Sequence, residues 1–163
     1  MTNHKNRGFK PVTYTLVHEL MASPTQPMPQ NLRTHQLNRM YGGLRALETA
    51  PNPSTDDWRV VSDAVNLMET LVLTMQLCED ASGLLNDAVT ALALAGKRHM
   101  QGQNLRLDAK GIQAARAVLE DYAAVLAVLP HRTMINCHRR TEKRIHGIFV
   151  GRRMAHDVEV ISL

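Results

Sequence analysis

The stretch 55–78 constrains the fold more than any other part of the chain. Its apolar residues recur every three to four positions, which is the period of one face of an α-helix. They are Trp58, Val61, Ala64, Val65, Met68, Leu71, Val72 and Met75. Ser54 or Thr55 is suited to cap this helix, and Asp56 and Asp57 suit the positive end of its dipole. We therefore predict a long helix with one face in a core and an outward face that carries Asp63, Asn66, Glu69 and Gln76.

The same spacing recurs along most of the chain and predicts an all-α fold, a bundle of four to five helices. Further helices are predicted at 31–48, about 84–99, 109–129 and 133–146, with a short helix at 12–21. Asp108 is the expected N-cap of the fourth long helix, and Pro130 ends it. Only 4% of the 163 residues are aromatic, whereas nine are Met, so the core should be aliphatic.

Two composition changes divide the chain around this bundle. Residues 1–30 form a basic arm and a proline-rich linker, because three prolines within 23–30 exclude a continuous helix. Residues 31–146 form the bundle, in which Gly42 and Gly43 either kink a helix or let another approach closely. Residues 147–163 form an extended or hairpin tail, because "GIFV" and "DVEVISL" are rich in β-branched residues.

Cysteine usage and hydropathy indicate a soluble, cytoplasmic protein with no membrane partner. Cys78 and Cys137 predict free thiols, not a disulfide framework. The N-terminus lacks the apolar core of a secretory signal, and no apolar run approaches the ~20 residues that span a bilayer. Metal-ligand motifs and glycine-rich phosphate loops are also missing from the sequence, so we predict no metal and no cofactor.

The stretch "HRRTEKRIHGIFVGRR", residues 138–153, concentrates positive charge near the end of a chain of net charge +4. Its cations are Arg139, Arg140, Lys143, Arg144, Arg152 and Arg153. Like charges at helical spacing repel one another unless an anion such as a phosphate backbone neutralises them. We predict that these residues contact nucleic acid or a partner, with Lys97 and Arg98 as a second patch. An acidic protein partner and a merely solvated helix end are the alternatives.

A second hypothesis is that part of this stretch forms the catalytic site of an RNase. "RTEKRIH", from Arg140 to His146, resembles the Arg-x(4–6)-His motif of HEPN domains, which are all-α and often metal-independent RNases. The resemblance implies that His146 acts as acid and base while Arg140 holds the phosphate, usually in a homodimer that pairs two motifs. The chain departs from the family at Thr141, where Asn, His or Asp is commoner.

A third hypothesis makes the helix 55–80 an inhibitory acidic face. Four carboxylates would be presented to a basic site on a host protein, partly as a nucleic-acid mimic. They are Asp63, Glu69, Glu79 and Asp80.

About two-thirds of the chain, Met40 to His146, resembles small helical accessory proteins of temperate phages and prophages of proteobacteria. The likeness lies in "DDWRVVSDAVNLMETL", "DAVTALALAGKR" and "LRLDAKGIQAARAVLEDYAAVLAVLPHRTM". It implies a non-enzymatic, mobile-element protein of the host cytoplasm that regulates or counters defence, for example by inhibiting a CRISPR effector. Our first hypothesis is accordingly stoichiometric binding to nucleic acid or to a host nucleoprotein complex through the basic C-terminal helix.

Overall fold

The computed structural model describes residues 12–149 of the chain and confirms the all-α prediction. Within that range it contains a short helix, five long helices and no strand. The helices are α1 (Leu16–Met21), α2 (Gln30–Thr49), α3 (Thr55–Glu69), α4 (Leu85–Met100), α5 (Ala109–Val128) and α6 (His131–Phe149). No helix in this range is long and apolar enough to cross a membrane.

Helix α3 lies at the centre of the bundle, in contact with α2, α4 and α5 through its apolar face. Val61, Ala64 and Val65 on this face are at most 1% exposed, which confirms the predicted stripe. Trp58 donates its indole N–H to the Leu92 carbonyl oxygen at 2.9 Å, which joins α3 to α4. The start of α3 is also as predicted, because Ser54 and the Asp57 side chain form a capping box.

Gly43 sets the distance between α2 and α3. A Cβ atom at this position would lie 2.4 Å from Val60 Cγ2 and 2.7 Å from the Asp57 carbonyl oxygen. Of the two alternatives for the glycine pair, close approach therefore describes Gly43, whereas a Cβ at Gly42 would meet nothing within 4 Å.

The predicted end of α3 at residue 78 is wrong. Regular helix ends at Glu69 and is followed by a π-helical turn, Thr70–Thr74. The Thr70 hydroxyl donates to the Asn66 carbonyl oxygen at 3.0 Å and lies 2.7 Å from the Thr141 hydroxyl. The turn is thus stabilised by a contact with α6. No helix-stop residue in the local sequence predicts the change from α-helix to π-helix.

The predicted outward face of α3 also needs correction, because α6 packs against it. Glu69 is only 4% exposed. Asn66 and Asp63 are partly buried on the same side. Helix α3 therefore has neighbours on both its apolar and its polar faces.

Residues 12–29, which we call the strap, run across α6 and contain α1. The polar side of α1 faces α6, where Arg132 donates to the carbonyl oxygens of Leu20 and Ala22. Past α1, the Gln26 carbonyl oxygen accepts from the His131 backbone N–H at 2.8 Å. The apolar side chains of α1 are instead exposed. They are Leu16, Val17, Leu20 and Met21, at 54 to 83%.

Helix α6 begins at His131, two residues before the predicted cap Thr133, and continues past His146 to Phe149. Residues 147–149, which were predicted to start an extended tail, are therefore helical. The rest of that tail, with Arg152 and Arg153, and residues 1–11 of the predicted basic arm lie outside the described residues.

Candidate functional site

Arg144 is not a free cation but half of a buried ion pair. Its guanidinium contacts the Glu69 carboxylate of α3, and the two side chains are only 10% and 5% exposed. Its second terminal nitrogen donates to the Asn66 carbonyl oxygen at 3.1 Å. Arg144 thus holds α6 onto the polar face of α3.

Arg139 is paired in a similar way with the strap. Its guanidinium contacts the Glu19 carboxylate of α1, with side chains 22% and 15% exposed. Asn136 donates to the same carboxylate at 2.9 Å. The hydrogen bond from Arg139, followed by that from Asn136, lowers the pKa of Glu19.

The predicted cationic ridge is therefore reduced to two exposed residues among those described. Arg140 and Lys143 are exposed, and three residues of helix place them about 60° apart around the axis of α6. Arg140 donates its Nε hydrogen to Asn136 at 2.8 Å, which leaves its terminal nitrogens outward. Neither residue has a carboxylate partner within 12–149. We call Arg140 and Lys143 the open side of α6.

The predicted second patch, Lys97 and Arg98, lies on the last turn of α4 and is partly buried. Arg98 donates to the Arg106 carbonyl oxygen at 2.8 Å and so holds the loop after α4. Lys97 also has a partner of its own. These two residues are therefore used within the fold.

The two residues of the RNase hypothesis do not converge within one chain. Arg140 and His146 are both exposed on α6. Six residues of α-helix separate them by about 120° around the axis and by about 9 Å along it. A single phosphate group cannot be contacted by both side chains in that arrangement.

The predicted acidic face is not one surface either. Glu69 is buried against Arg144, and the Asp80 carboxylate accepts the Leu85 backbone N–H at 3.1 Å as part of the turn before α4. Of the four predicted carboxylates, only Glu79 is exposed. This correction removes the geometric basis of the acidic-mimic hypothesis.

A cavity of about 360 Å³ lies between the strap, α2, α3 and α6. Its walls are mainly aliphatic and come from segments that are far apart in the sequence. The apolar lining consists of Val12, Met28, Leu32, Met40, Val60, Leu67 and Ile145. Polar and titratable side chains complete the wall, among them Tyr14, Asp63, His138 and Glu142. A largely apolar cavity with some polar groups is the usual form of a small-molecule site.

Asp63 is one of two acidic residues that line this cavity, with Glu142. Burial raises the pKa of its carboxyl from the ordinary 3.8 to about 6, although Arg39 and Arg59 act in the opposite direction. No residue of the described chain donates a hydrogen bond to it. Asp63 thus offers an acceptor to the cavity at neutral pH.

His138 faces Asp63's helix from α6 and also lines the cavity. Burial, with a smaller contribution from His131, lowers the pKa of His138 to about 4, so its imidazole is neutral. Its ring centroid lies 4.9 Å from that of Tyr14 in the strap. Its Nε2 is buried and has no hydrogen-bond partner among the described residues.

The sequence alone did not predict that Asp63 and His138 line a common cavity, although it contains one indication. Met134, His138, Thr141 and Ile145 fall at i, i+4, i+7 and i+11, so they share the inner face of α6. A titratable residue on an inner face marks a site worth testing. The proximity of the strap could not be read from that spacing.

The thiols and metal ligands offer no further chemistry in the described range. No group of three or more His, Cys, Asp or Glu side chains there could hold a metal ion. Cys78 and Cys137 are both free thiols. Burial raises the pKa of Cys137 to about 12, which makes it a poor nucleophile.

Comparisons of the chain with protein-family models, curated proteins and solved structures find no match.

Proposed function

We propose that the protein is a non-enzymatic binding protein whose open side of α6 contacts the phosphate backbone of a nucleic acid. One observation carries the proposal. Arg140 and Lys143 remain exposed and have no carboxylate partner within residues 12–149, whereas Arg139 and Arg144 on the same helix are neutralised internally. Arg152 and Arg153 would extend the contact beyond the described residues.

The electrostatics favour an anionic partner at this place. Two like charges one turn apart on a helix destabilise it by about 0.2–0.5 kcal/mol, and a bound phosphate removes that repulsion. The outward terminal nitrogens of Arg140 supply donors in the fork geometry that suits a phosphate.

The neighbouring ion pairs make α6 a fixed platform for this contact. Arg144 binds it to α3, and Arg139 binds it to the strap. A side chain on a helix held from two sides loses less conformational freedom on binding than one on a mobile segment. Binding also needs only one chain, whereas cleavage would require a homodimer that pairs two motifs, because Arg140 and His146 do not converge within one chain.

The phage resemblance makes a host nucleoprotein complex the alternative partner. In that form of the proposal the chain counters host defence, for example a CRISPR effector, by occupying its nucleic-acid surface. A pull-down from bacterial lysate with and without nuclease separates the two forms. Loss of the captured material after nuclease treatment supports nucleic acid as the primary ligand, whereas a retained protein indicates the complex.

The decisive experiment is the salt dependence of nucleic-acid binding. Each phosphate contact on duplex DNA contributes about −0.9 to the slope of log K against log salt. The double variant Arg140→Gln/Lys143→Gln should therefore bind more weakly and lower the slope by about 1.8 in magnitude.

The matched control is Arg45→Gln/Lys110→Gln, which changes the same net charge on exposed residues of α2 and α5. It should leave the slope unchanged. Equal effects of the two double variants would show that net charge alone drives binding. An unchanged slope in the α6 variant would show that the contact lies elsewhere.

A further inference from the structure

The cavity beneath the strap has the features of a second, separate site. Its volume of about 360 Å³ falls at the lower end of the ~300–1,000 Å³ that is typical of ligand pockets. Its walls are aliphatic, and the two methionines, Met28 and Met40, adapt their shape to irregular ligands. These walls suit a flexible aliphatic group better than a large planar one.

The polar end of the cavity is set by Asp63. Its carboxylate is partly exposed and receives no hydrogen bond from residues 12–149, so it is available to accept one from a ligand in the cavity. Arg39, which also lines the cavity, already has a partner and is exposed. The neutral ring of His138 adds a buried Nε2 without a described partner but no charge, and Glu142 adds a second carboxylate to the wall. The carboxylates therefore favour a ligand that donates hydrogen bonds.

We propose that this cavity binds a small aliphatic molecule with a hydrogen-bond-donating head group, a hydroxyl or an ammonium, which contacts the Asp63 carboxylate. The aliphatic chain lies against Leu67, Met40 and Ile145. The site is independent of the proposed nucleic-acid contact, since neither Arg140 nor Lys143 lines the cavity.

The strap supplies the entrance. Val12 and Tyr14 form part of the cavity wall, yet α1 contains no buried residue. Its attachment consists of polar contacts, chiefly Glu19 with Arg139 and Arg132 with the strap carbonyl groups. A segment held in this way opens locally at far lower cost than the core.

The test uses the full chain with ¹³C-labelled methionine methyl groups and three probes of equal chain length. The probes are octan-1-ol, octylamine and octanoate. We expect the alcohol and the amine to shift the Met28 and Met40 methyl signals saturably. Met68 and Met134 are at most 1% exposed and do not line the cavity, so their signals should stay unchanged. Octanoate should bind at least about tenfold more weakly, because its carboxylate meets that of Asp63.

Two substitutions locate the ligand. Leu32→Trp fills the cavity from a residue that is 48% exposed and should abolish the shifts, whereas Leu94→Trp at a similarly exposed position of α4 should not. Asp63→Asn should weaken octylamine about tenfold and octan-1-ol much less, because only the ammonium loses an opposite charge.

Three outcomes would overturn the proposal. The first is no saturable shift of Met28 or Met40 up to about 1 mM probe. The second is that octanoate binds most tightly of the three probes, which would show that the cavity selects an anionic head group and not a hydrogen-bond donor. The third is a shift of these signals with protein concentration alone, which would make a second copy of the chain the occupant.

Discussion

Helices α1 and α3 are each attached to α6 by an ion pair, but their apolar sides lie in opposite surroundings. Helix α3 buries an apolar stripe in the bundle and presents its polar side to α6, where Glu69 meets Arg144. Helix α1 also presents its polar side, through Glu19 and Arg139, but leaves its apolar side exposed. The difference shows that periodicity identifies a helix, whereas its neighbours decide which side turns inward.

The two helices also differ in the energy with which the whole bundle holds them. Burying an aliphatic side chain contributes about 1.5–3 kcal/mol, and α3 buries several. Helix α1 relies on hydrogen bonds and one partly buried ion pair, which contribute about 1 kcal/mol each. The part of the strap that contains α1 should therefore open while Met28 and the bundle stay in place.

The largest expected effect comes from breaking the α3 attachment. Arg144→Gln leaves the Glu69 carboxylate buried without its cation and should destabilise the protein by about 3–5 kcal/mol in urea unfolding. The double variant Arg144→Met/Glu69→Met should recover most of that loss, because it leaves no buried charge. A loss under 1 kcal/mol for the single variant would mean that the pair is solvated.

A second prediction concerns Asp63 of α3 and His138 of α6, which line the cavity beneath the strap. Asp63 has its pKa raised to about 6, so the folded state binds more protons than the unfolded state above pH 3.8, and its contribution to stability falls as pH rises towards 6. His138 has its pKa lowered from 6.5 to about 4, so its contribution falls as pH drops through that range. Each amounts to about 3 kcal/mol, and the two oppose each other.

Single substitutions should separate the opposed pH-dependent stability contributions of Asp63 and His138. Relative to the wild-type profile between pH 4 and 6, the stability of Asp63→Asn should rise more steeply with pH. Over the same pH range, the stability of His138→Gln should decrease with rising pH relative to the wild-type profile. Denaturant unfolding at several pH values measures both, with the double variant as the control that restores the wild-type slope. Slopes that change in the same direction would contradict the assignment. His35, His131 and Glu142 also line the cavity and remain unchanged in all variants.

Most of the fold could be predicted from the sequence because it depends on local features such as apolar periodicity and helix caps. The stripe that includes Val61 and Val65, the Ser54 cap and the Asp108 cap were each predicted correctly, and the Asp108 side chain accepts the Gly111 N–H at 2.7 Å. These features involve residues within one or two helical turns of each other.

The candidate site was harder to predict because it depends on contacts between residues that are far apart in the sequence. Glu19 and Arg139 are 120 residues apart, and Glu69 and Arg144 are 75 apart. A run of basic residues gives no sign of which cations find an internal carboxylate. The same holds for the π-helical turn after Glu69, which is stabilised from α6 by Thr141.

The smallest expected effect comes from loosening the strap. Glu19→Gln removes the charge that faces Arg139 and should cost about 1 kcal/mol or less, because both side chains retain some solvent. Hydrogen exchange should accelerate at residues 15–26 while amides of α3 keep their protection. Uniform loss of protection in both regions would show that the strap unfolds only with the bundle.

The orientation of α1 is the central claim, and solvent paramagnetic relaxation of the methionine methyl groups tests it most directly. Met21 on α1 is 83% exposed, whereas Met28 at the end of the strap and Met68 on α3 are 4% and 1% exposed. A soluble gadolinium chelate should therefore broaden the Met21 signal strongly and leave the other two sharp. A Met21 signal as protected as that of Met68 would show that α1 turns its apolar side inward and would contradict the account.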